Sequence, residues 1–445
     1  MIKGAEWRVA PDPDLVVSGV SVYAPTYRPG EMVFLRMAKG DFGIPPQVLK
    51  SEAPNPSMAI IDAASGDFSD AQSVLMVPSQ QEALFALAAD ARRRIRARVV
   101  GVTGSAGKTS VTAMIAHCLQ GAGSVYATRF GANMARGISW NLCCVPETVS
   151  YCVLEMAIGQ MLSNSKIAQP DVAVFTNIHP AHLIYHKDVQ TIARRKAQIF
   201  SSMPADGVAV INADMEQSEL VQQVAASRGL QVLLYGTGPG VDIRPIEISA
   251  CENSISLDVQ GDRCVVPLVG HGEYAVQNAM AIAGALRALH QPVAVLMEQL
   301  NSFAPLPGRG QTLTYPGANG AAHILDHSYN ANPASMRAAL DELAMMPCTG
   351  RRIAILGQMA ELGEEGEEHH RKLLMDLRNQ AIDQVWLLGD EFMPVFDTVS
   401  QDTRFACIGL AELRQKFSAM IDPGDLIMVK GSNSTGLFRF MERYR

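Results

Sequence analysis

The stretch from Arg98 to Gln120, RVVGVTGSAGKTSVTAMIAHCLQ, places the strongest constraint on what this chain can fold into. It predicts a short apolar strand, a glycine-rich turn and an amphipathic helix. Gly101, Gly104 and Gly107 let the backbone turn sharply and bring several N–H groups to one anion. The helix that follows presents its positive end to the same charge. This order of elements predicts a site for a nucleotide triphosphate.

The side chains of the turn suit phosphate and Mg²⁺ chemistry. Lys108 supplies a cation for the β- and γ-phosphates, and Thr109 places a hydroxyl where a phosphate-bound Mg²⁺ needs a ligand. The pattern is GxTGxxGKTS rather than the strict GxxxxGK[ST], and the alternative is a glycine-rich turn with a solvated lysine. The residues expected to contact the nucleotide here are Thr103, Gly104, Ser105, Gly107, Lys108, Thr109 and Ser110.

Composition narrows the class of protein. The chain has 445 residues, of which 48% are hydrophobic and 18% charged, the balance of a soluble globular protein with several cores. A net charge of −7 argues against nucleic acid or an anionic membrane as the main partner. The amino terminus has no apolar signal segment, and the eight cysteines include no CxxC pair. We therefore expect a cytoplasmic protein with free thiols and no membrane insertion.

Strand and helix patterns predict an α/β protein of three domains. Residues 1–97 contain β-rich pieces and a helix at 79–97, and form a small first domain. In residues 98–307, continuous apolar runs typical of covered parallel strands alternate with helices. The alternation restarts in residues 308–445, which predicts a Rossmann-like third domain. The predicted strands are 97–103, 149–156, 171–178, 207–212, 322–326, 351–356, 384–389 and 425–430, and the later helices are 109–120, 188–202, 274–290, 333–346, 364–380 and 410–420.

A series of ordered motifs resembles the Mur ligase family, and most closely its D-alanyl-D-alanine-adding branch. The resemblance runs from about residue 98 to the end and fades before that. DHSYNANPASMRAAL (326–340) is the motif most specific for this branch. The others are GVTGSAGKTS (101–110), VLEMA (153–157), TNIHPAHL (176–183), RKAQIF (195–200), EYAVQNAMAIAGAL (273–286), LPGRGQ (306–311), LGQMAELGEEGEEHHRKL (356–373) and VKGSNS (429–434).

The resemblance implies a fold and an activity. Members of the family have three domains, which bind a nucleotide-linked acceptor, ATP and the incoming amine. ATP phosphorylates an acceptor carboxylate, and an amine then attacks the acyl phosphate. We therefore expect an ATP-dependent, ADP-forming ligase that joins a small-molecule carboxylate to an amine, with ATP and two Mg²⁺ ions. The oligomeric state stays open.

The resemblance also implies a set of metal ligands. Glu155, which ends a buried strand, matches the Mg²⁺-binding glutamate, and His182 matches the metal-ligand histidine. Lys196 matches the lysine that the family carbamylates, a change that turns an ammonium into an anionic oxygen ligand beside the metal. Thr109 completes the expected set. His179 has no such match and is interpreted as a loop residue.

Further positions carry expected roles from the same resemblance. Asn278 matches the asparagine that hydrogen-bonds adenine, and Asp326 matches the acid at the ribose. Arg309 matches the arginine that reaches the transferring phosphate, where its fork can pair with two oxygens. Tyr329 and Asn330 lie on the loop expected to face nucleotide and amine. The residues expected in the amine pocket, for which a plain strand-end turn is the alternative, are Lys430 and Ser432.

Substrate-facing positions depart from the family's pattern. SVYAPTY (21–27) stands where an Asp-Ser-Arg-like triplet is expected before RPGEMVF (28–34), and KGDFGIPP (39–46) is a reduced form of the pattern that follows. The acid and the cation expected to position a uridine are therefore missing. His327 replaces a second acid, and Asn433 replaces an arginine. We hypothesise that the ligation machinery is intact and that at least one substrate has changed.

Several functions compete at this point. Within the ligase class, the chain either adds D-alanyl-D-alanine to a UDP-muramoyl-peptide or is repurposed to another carboxylate acceptor. Outside it, the alternatives are a non-catalytic nucleotide-binding regulatory protein on the same fold and an ATP-dependent small-molecule kinase. A pure binder has no need for Lys108, Glu155, His182 and Lys196 together. A kinase would leave the third domain without a task.

Overall fold

The structure, a computed structural model, describes residues 2–36, 42–48, 57–62, 71–179, 188–249, 251–317 and 320–445. The chain divides into two compact units, of which one comprises residues 1–102, 123–173 and 198–207, and the other comprises residues 103–122, 174–197 and 208–445. No helix in the described ranges combines the length and apolar character that a membrane crossing requires.

The first sheet has five short strands and one covering helix. The strands are β1 (Glu6–Val9), β2 (Val20–Ser21), β3 (Met32–Phe34), β4 (Met58–Asp62) and β5 (Ser73–Val77). Their order is β1-β5-β4-β3-β2, and only β1 runs antiparallel to its neighbour. Helix α1 (Gln80–Arg94) begins after Ser79, whose hydroxyl accepts the Glu82 N–H. The helix predicted at 79–97 is confirmed, with an earlier end.

The second sheet has nine strands. They are β6 (Arg98–Thr103), β7 (Val125–Ala127), β8 (Tyr151–Glu155), β9 (Val172–Phe175), β10 (Val208–Asn212), β11 (Gln231–Tyr235), β12 (Ile243–Ser249), β13 (Ser254–Val259) and β14 (Asp262–Pro267). Their order is β14-β13-β12-β11-β10-β9-β6-β8-β7. The four strands predicted from continuous apolar runs, β6, β8, β9 and β10, are almost wholly buried. Strands β12 to β14 form an antiparallel extension that was not predicted, because their exposed residues interrupt any apolar run.

Helices of this region alternate with the parallel strands. They are α2 (Lys108–Leu119), α3 (Ala135–Cys143), α4 (Met161–Ala168), α5 (Val189–Lys196), α6 (Ser218–Ser227), α7 (Gly272–Ala288) and α8 (Val293–Met297). The single helix predicted at 188–202 is α5 followed by a 3-10 segment, Ala197–Ser202. This arrangement confirms a parallel-sheet central domain of the βαβ type.

The third sheet has six strands, all parallel except for the β15–β16 hairpin. They are β15 (Gln311–Gly317), β16 (Gly320–His327), β17 (Arg352–Gly357), β18 (Gln384–Leu388), β19 (Phe405–Cys407) and β20 (Leu426–Lys430), in the order β15-β16-β20-β17-β18-β19. The helices are α9 (Pro333–Met345), α10 (Gly366–Arg378), α11 (Leu410–Lys416) and α12 (Leu437–Met441). Separate buried clusters cover its two faces, so the Rossmann-like prediction is confirmed.

The motif residues before α9 explain how that helix begins. Asn332 and Ser335 form a reciprocal capping box, and Pro333 occupies the first helical turn, where no N–H is needed. In sheets of this kind, ligands bind outside the carboxyl ends of the strands. The predicted site residues lie at or after the ends of β6 and β8 in the second sheet and of β16 and β20 in the third sheet. The predicted boundaries at 97/98 and 307/308 remain predictions, since the compact units divide the chain differently.

Candidate active site

The glycine-rich turn lies between β6 and α2 and is held by the residues that follow β9. Gly104 has a φ of 154°, and a Cβ at this position would lie 1.9 Å from Thr176 Oγ1, so only glycine fits. The Ala106 N–H donates to Asn177 Oδ1 at 2.8 Å, and Thr176 Oγ1 donates to the Ala106 carbonyl at 2.6 Å. The turn is thus a preformed support for the start of α2.

The N-terminus of α2 suits an anion. The helix begins at Lys108, directly after Gly107, which has a φ of 78° and no side chain with which to cap the first N–H groups. The positive end of a twelve-residue helix is a general binding site for phosphate. Thr109 lies half-buried in the first turn of this helix.

Two lysines converge on this turn. Lys108 Nζ donates to the Gly104 carbonyl at 2.9 Å, and Lys196 Nζ donates to the same oxygen at 2.7 Å. Lys196 ends α5 and is only 2% exposed, although its sequence neighbours Arg194 and Arg195 are exposed. The structure therefore brings together two of the residues predicted from sequence and concentrates positive charge where a polyphosphate would lie.

Glu155 ends β8 and is buried, as expected for a strand-end carboxylate. Asn133 Nδ2 donates to Glu155 Oε1 at 2.7 Å, and the Glu155 N–H donates to Thr128 Oγ1 at 2.8 Å. Both partners belong to the loop 128–134, which follows β7 and so orients the carboxylate. Sequence analysis missed Asn133, because a single amide in a loop forms no pattern.

The fourth predicted metal ligand, His182, lies outside the described residues. Within the residues that the structure describes, no three His, Cys, Asp or Glu side chains are grouped as a metal ion would need. The predicted set of Thr109, Glu155, His182 and Lys196 therefore stays a prediction.

His179 contacts the glycine-rich turn, although the sequence suggested only a loop residue. Its N–H donates to Ser105 Oγ at 3.0 Å, and that hydroxyl donates back to the His179 carbonyl at 3.1 Å. Its ring lies 3.3 Å from the Tyr274 hydroxyl of α7. Burial lowers the pKa of His179, and nearby Arg337 lowers it further. The structure thus places the neutral imidazole of His179 beside the turn.

Asn278 and Asp326, the predicted adenine and ribose residues, are both described. Asn278 Oδ1 lies 3.3 Å from where a Cβ on Gly107 would stand, so it borders the turn. Asp326 is fully buried, and its carboxylate accepts from the Gly308 N–H at 3.1 Å and from Arg445 Nε at 2.8 Å. A ribose contact at Asp326 would have to share or displace these donors. Arg445 was missed because it is 119 residues away in sequence.

Aromatic rings and guanidinium groups stack beside the turn that carries Arg309. The Arg309 guanidinium lies 4.0 Å from the centre of the Tyr329 ring, and Tyr329 meets Phe438 edge-on at 5.2 Å. The Arg445 guanidinium lies 4.2 Å from the Phe438 ring. The contact with the Tyr329 ring thus helps to hold the Arg309 guanidinium in place.

The carboxyl ends of β16 and β20 carry the last set of predicted residues. Lys430 is only 4% exposed, and its Nζ donates to the Asn330 carbonyl at 2.9 Å. Ser432 Oγ accepts the Ala360 N–H at 2.8 Å, which ties two loops of this sheet together. Burial lowers the pKa of Lys430 to about 7; nearby Arg309 lowers it too, whereas a carboxylate on α9 raises it.

Taken together, the geometry defines a class of protein. A three-domain α/β chain presents a phosphate-type turn with two convergent lysines, and a Rossmann-like domain with a stacked arginine and a buried lysine at its strand ends. Such a chain is a nucleotide-dependent enzyme that acts on a second substrate.

Comparisons with known proteins narrow this class. The family profile of the Mur ligase middle domain matches residues 102–286, and that of the Mur ligase glutamate ligase domain matches residues 308–433. UDP-N-acetylmuramoyl-tripeptide–D-alanyl-D-alanine ligase of Escherichia coli is 29% identical over 368 residues, which cover 82% of this chain and 80% of that protein. The enzyme of the same name from Bacillus subtilis is 30% identical over 71% of this chain and 68% of its own length.

Solved structures agree with these matches over nearly the whole chain. A crystal structure of MurF from Acinetobacter baumannii superposes with a TM-score of 0.83 at 25% identity, covering 99% of this chain and 96% of that one. MurF ligase of Thermotoga maritima, solved in complex with ADP, shares the fold with a TM-score of 0.78 at 23% identity, covering 97% and 98%.

The chain belongs to the Mur ligase family. It is accordingly an ATP-dependent, ADP-forming ligase that joins a carboxylate to an amine, which confirms the predicted family, fold class and type of enzyme. The regulatory-protein and kinase hypotheses are set aside.

Proposed function

We propose that this ligase joins the amino group of D-alanyl-D-alanine to the terminal carboxylate of a UDP-muramoyl-tripeptide through an acyl phosphate. The observation that carries the proposal is the match to D-alanyl-D-alanine ligases of the family over about four fifths of both chains. The branch-specific motif supports it, since DHSYNANP forms the end of β16, the loop with Tyr329 and Asn330, and the cap of α9.

ATP binds, in this proposal, along the glycine-rich turn and the start of α2. Lys108 neutralises the γ-phosphate, Arg309 pairs with the transferring phosphate, and Asn278 lies at the adenine. Gly104 and Gly107 let the turn pack against Thr176 and Asn278, because a Cβ at either glycine would meet one of these side chains. The residues proposed to hold the nucleotide are Thr103, Gly104, Ser105, Gly107, Lys108, Thr109, Ser110, Asn278, Arg309 and Asp326.

Mg²⁺ fits the residues present at the strand ends. Glu155 offers a buried carboxylate whose orientation is fixed by the Asn133 amide, and oxygen ligands of this kind are those that Mg²⁺ prefers. The residues proposed to hold it are Thr109, Glu155, His182 and carbamylated Lys196. When bound, the ion would offset the negative charge of the phosphates.

Carbamylation of Lys196 is supported by the two lysines at Gly104. Both ammonium groups donate to one carbonyl oxygen, so they lie close together and repel each other. Addition of CO₂ to Lys196 would turn one member of this pair into an anion that attracts Lys108 and a metal ion. The buried position of Lys196 would protect the carbamate from exchange with bulk water.

A second candidate, a different carboxylate acceptor, is favoured by the residues in place of the expected triplet. They form an uncharged 3-10 turn, Ala24–Thr26, and Tyr23 packs edge-on against Trp140 at 5.2 Å. Phe130 is 66% exposed with a φ of 54°, a strained conformation for an aromatic residue, and the Arg129 guanidinium lies 5.6 Å from its ring. Exposed Tyr23 and Phe130, together with Arg129 and the buried Trp140, form an aromatic patch that suits a planar ring beside an anion. Aromatic acids other than a nucleoside diphosphate provide both groups.

ADP release with Mg²⁺, ATP and bicarbonate tests the two candidates. UDP-muramoyl-tripeptide is supplied with and without D-alanyl-D-alanine, and the product mass is read in parallel. Amine-dependent turnover to the pentapeptide supports the first candidate. Failure to form the pentapeptide, with ATP still bound, contradicts it and supports a different acceptor.

Lys108→Ala provides the matched negative control for this assay. It is expected to abolish ADP release, because the phosphates would lose the cation proposed to neutralise them. Lys166→Ala, an exposed lysine on α4, should leave the rate unchanged. Equal loss in the two variants would show that the assay reports folding rather than phosphate binding.

A further inference from the structure

Three titratable residues meet at the carboxyl edge of the third sheet. His327 is the last residue of β16 and Lys430 the last of β20, and the two are register partners on neighbouring parallel strands. His327 Nε2 lies 2.8 Å from Glu342 Oε2 on α9. All three side chains are largely buried.

The surroundings of Lys430 differ from those of an exposed lysine. Its Nζ is anchored to the Asn330 carbonyl, on the loop that leads from β16 to α9. Arg309 and Glu342 are the charged groups that face it from the neighbouring turn and helix. An exposed lysine has a pKa of about 10.4, whereas burial and Arg309 together bring that of Lys430 to about 7. At neutral pH, a substantial fraction of the protein molecules therefore carry Lys430 as a neutral amine.

The second half of the ligase reaction needs a base. The amine substrate arrives as an ammonium, which has no lone pair with which to attack. One proton must leave before the C–N bond forms and the C–O bond to phosphate breaks. The nitrogen then loses a second proton, which leaves with the phosphate. The phosphate-binding residues are cations and cannot accept the first proton.

We propose that Lys430, anchored by the Asn330 carbonyl and lying on the strand next to His327, is the general base that takes this first proton from the incoming amine. The proposal rests on the ligase reaction and not on the identity of the acceptor. Asn330, which is exposed, marks the side from which the amine reaches Lys430. The competing role for Lys430, a cation that binds the carboxylate of the amine substrate, is an outcome of the test.

Lys430→Met and Lys430→Arg separate these roles. With UDP-muramoyl-tripeptide, ATP and D-alanyl-D-alanine, both variants should lower kcat by about 10²- to 10⁴-fold, with little change in the KM of the dipeptide. In the wild type, kcat/KM should rise with pH through neutrality, and both variants should lose this rise. Activity retained by Lys430→Arg, or a raised KM at unchanged kcat, would overturn the proposal in favour of a carboxylate-binding cation.

Hydroxylamine provides the control for folding and for the first half-reaction. It is largely uncharged at neutral pH and needs no base, so capture of the acyl phosphate as a hydroxamate should proceed in Lys430→Met at close to the wild-type rate. A parallel loss of hydroxamate and amide would overturn the proposal, because Lys430 would then serve the phosphorylation step or the fold.

A measurement without substrate distinguishes failure of this proposal from failure of the proposed acceptor. Competitive acetylation with acetic anhydride, read by mass spectrometry against pH, gives the titration midpoint of Lys430, with exposed Lys372 as the internal reference. A midpoint near neutrality supports the base even where UDP-muramoyl-tripeptide is not a substrate. A midpoint equal to that of Lys372 overturns it.

Discussion

Lys196 at the glycine-rich turn and Lys430 at the edge of the third sheet are both almost fully buried, and both donate to a backbone carbonyl. Their neighbours differ. The carbonyl that accepts from Lys196 also accepts from Lys108, so that region gathers positive charge. Lys430 instead has charges of both signs nearby, the Arg309 guanidinium and the Glu342 carboxylate, which shift its pKa in opposite directions.

The difference teaches that burial alone does not define the chemistry of a lysine. Desolvation disfavours the ammonium of Lys430. The proposed polyphosphate and the proposed carbamate are both anions, and either would restore the charge balance at the turn. The charged partners of Lys430 are groups of the protein itself. This suits the proposed role, in which Lys430 exchanges a proton with the substrate.

Gly104→Ala should have the largest effect of the three substitutions, because it disrupts the glycine-rich turn. The added Cβ would stand 1.9 Å from Thr176 Oγ1 in a backbone conformation with a φ of 154°, so the turn must move. We expect a loss of about 2–5 kcal/mol in the free energy of unfolding and a loss of ATP-dependent turnover. Urea denaturation and ADP release measure the two effects. Gly238→Ala, where a Cβ meets nothing within 4 Å, should change neither, and a Gly104→Ala enzyme of normal stability and rate would contradict a preformed turn.

Lys196→Gln should separate the carbamate from simple positive charge. Turnover should fall by about 10²- to 10³-fold, as for loss of one preorganised charge-stabilising group, and the residual activity should no longer depend on bicarbonate. The measurement is ADP release in CO₂-depleted buffer with and without added bicarbonate, with ¹³C-labelled bicarbonate used to observe the carbamate by NMR. A wild-type enzyme indifferent to bicarbonate and without a carbamate signal would rule the modification out.

Glu342→Gln should produce the smallest change of the three substitutions. It tests how the charges around Lys430 set the pKa of this lysine. The carboxylate raises the pKa of Lys430, so its removal should lower that pKa. The neutral amine then persists to lower pH, and the rising limb of kcat/KM should move to lower pH by up to about one unit. Full pH–rate profiles measure the shift, with the exposed Glu367→Gln as control. Movement to higher pH would contradict the geometry of the cluster.

Local sequence predicted the glycine-rich turn and the buried central strands of the second and third sheets. The glycines, Lys108 and the strand before them are contiguous, and the buried strands β6, β8, β9 and β10 are continuous apolar runs. Half-exposed strands such as β12 and β14 contain no continuous apolar run, so the sequence pattern did not predict them. The family resemblance located Glu155 and Lys196 at points where the fold then buried them.

Contacts between distant segments could not be predicted. His179 fits against Ser105 only because β9 and the turn end at the same place, and neither residue carries a pattern of its own. Arg445 reaches Asp326 from the far end of the chain. The pKa of Lys430 depends on Arg309 and Glu342, which lie on two other elements and which no spacing rule connects to it.

The loop 128–134 carries two tasks at once. Its exposed Phe130 belongs to the aromatic patch, and three residues later its Asn133 holds the carboxylate of Glu155. A substitution that adapts this loop to a new acceptor therefore also perturbs the residue proposed to hold the metal. Divergence of substrate preference in this chain should then have been constrained by metal affinity, and laboratory evolution toward a new acceptor should select compensating changes around Asn133.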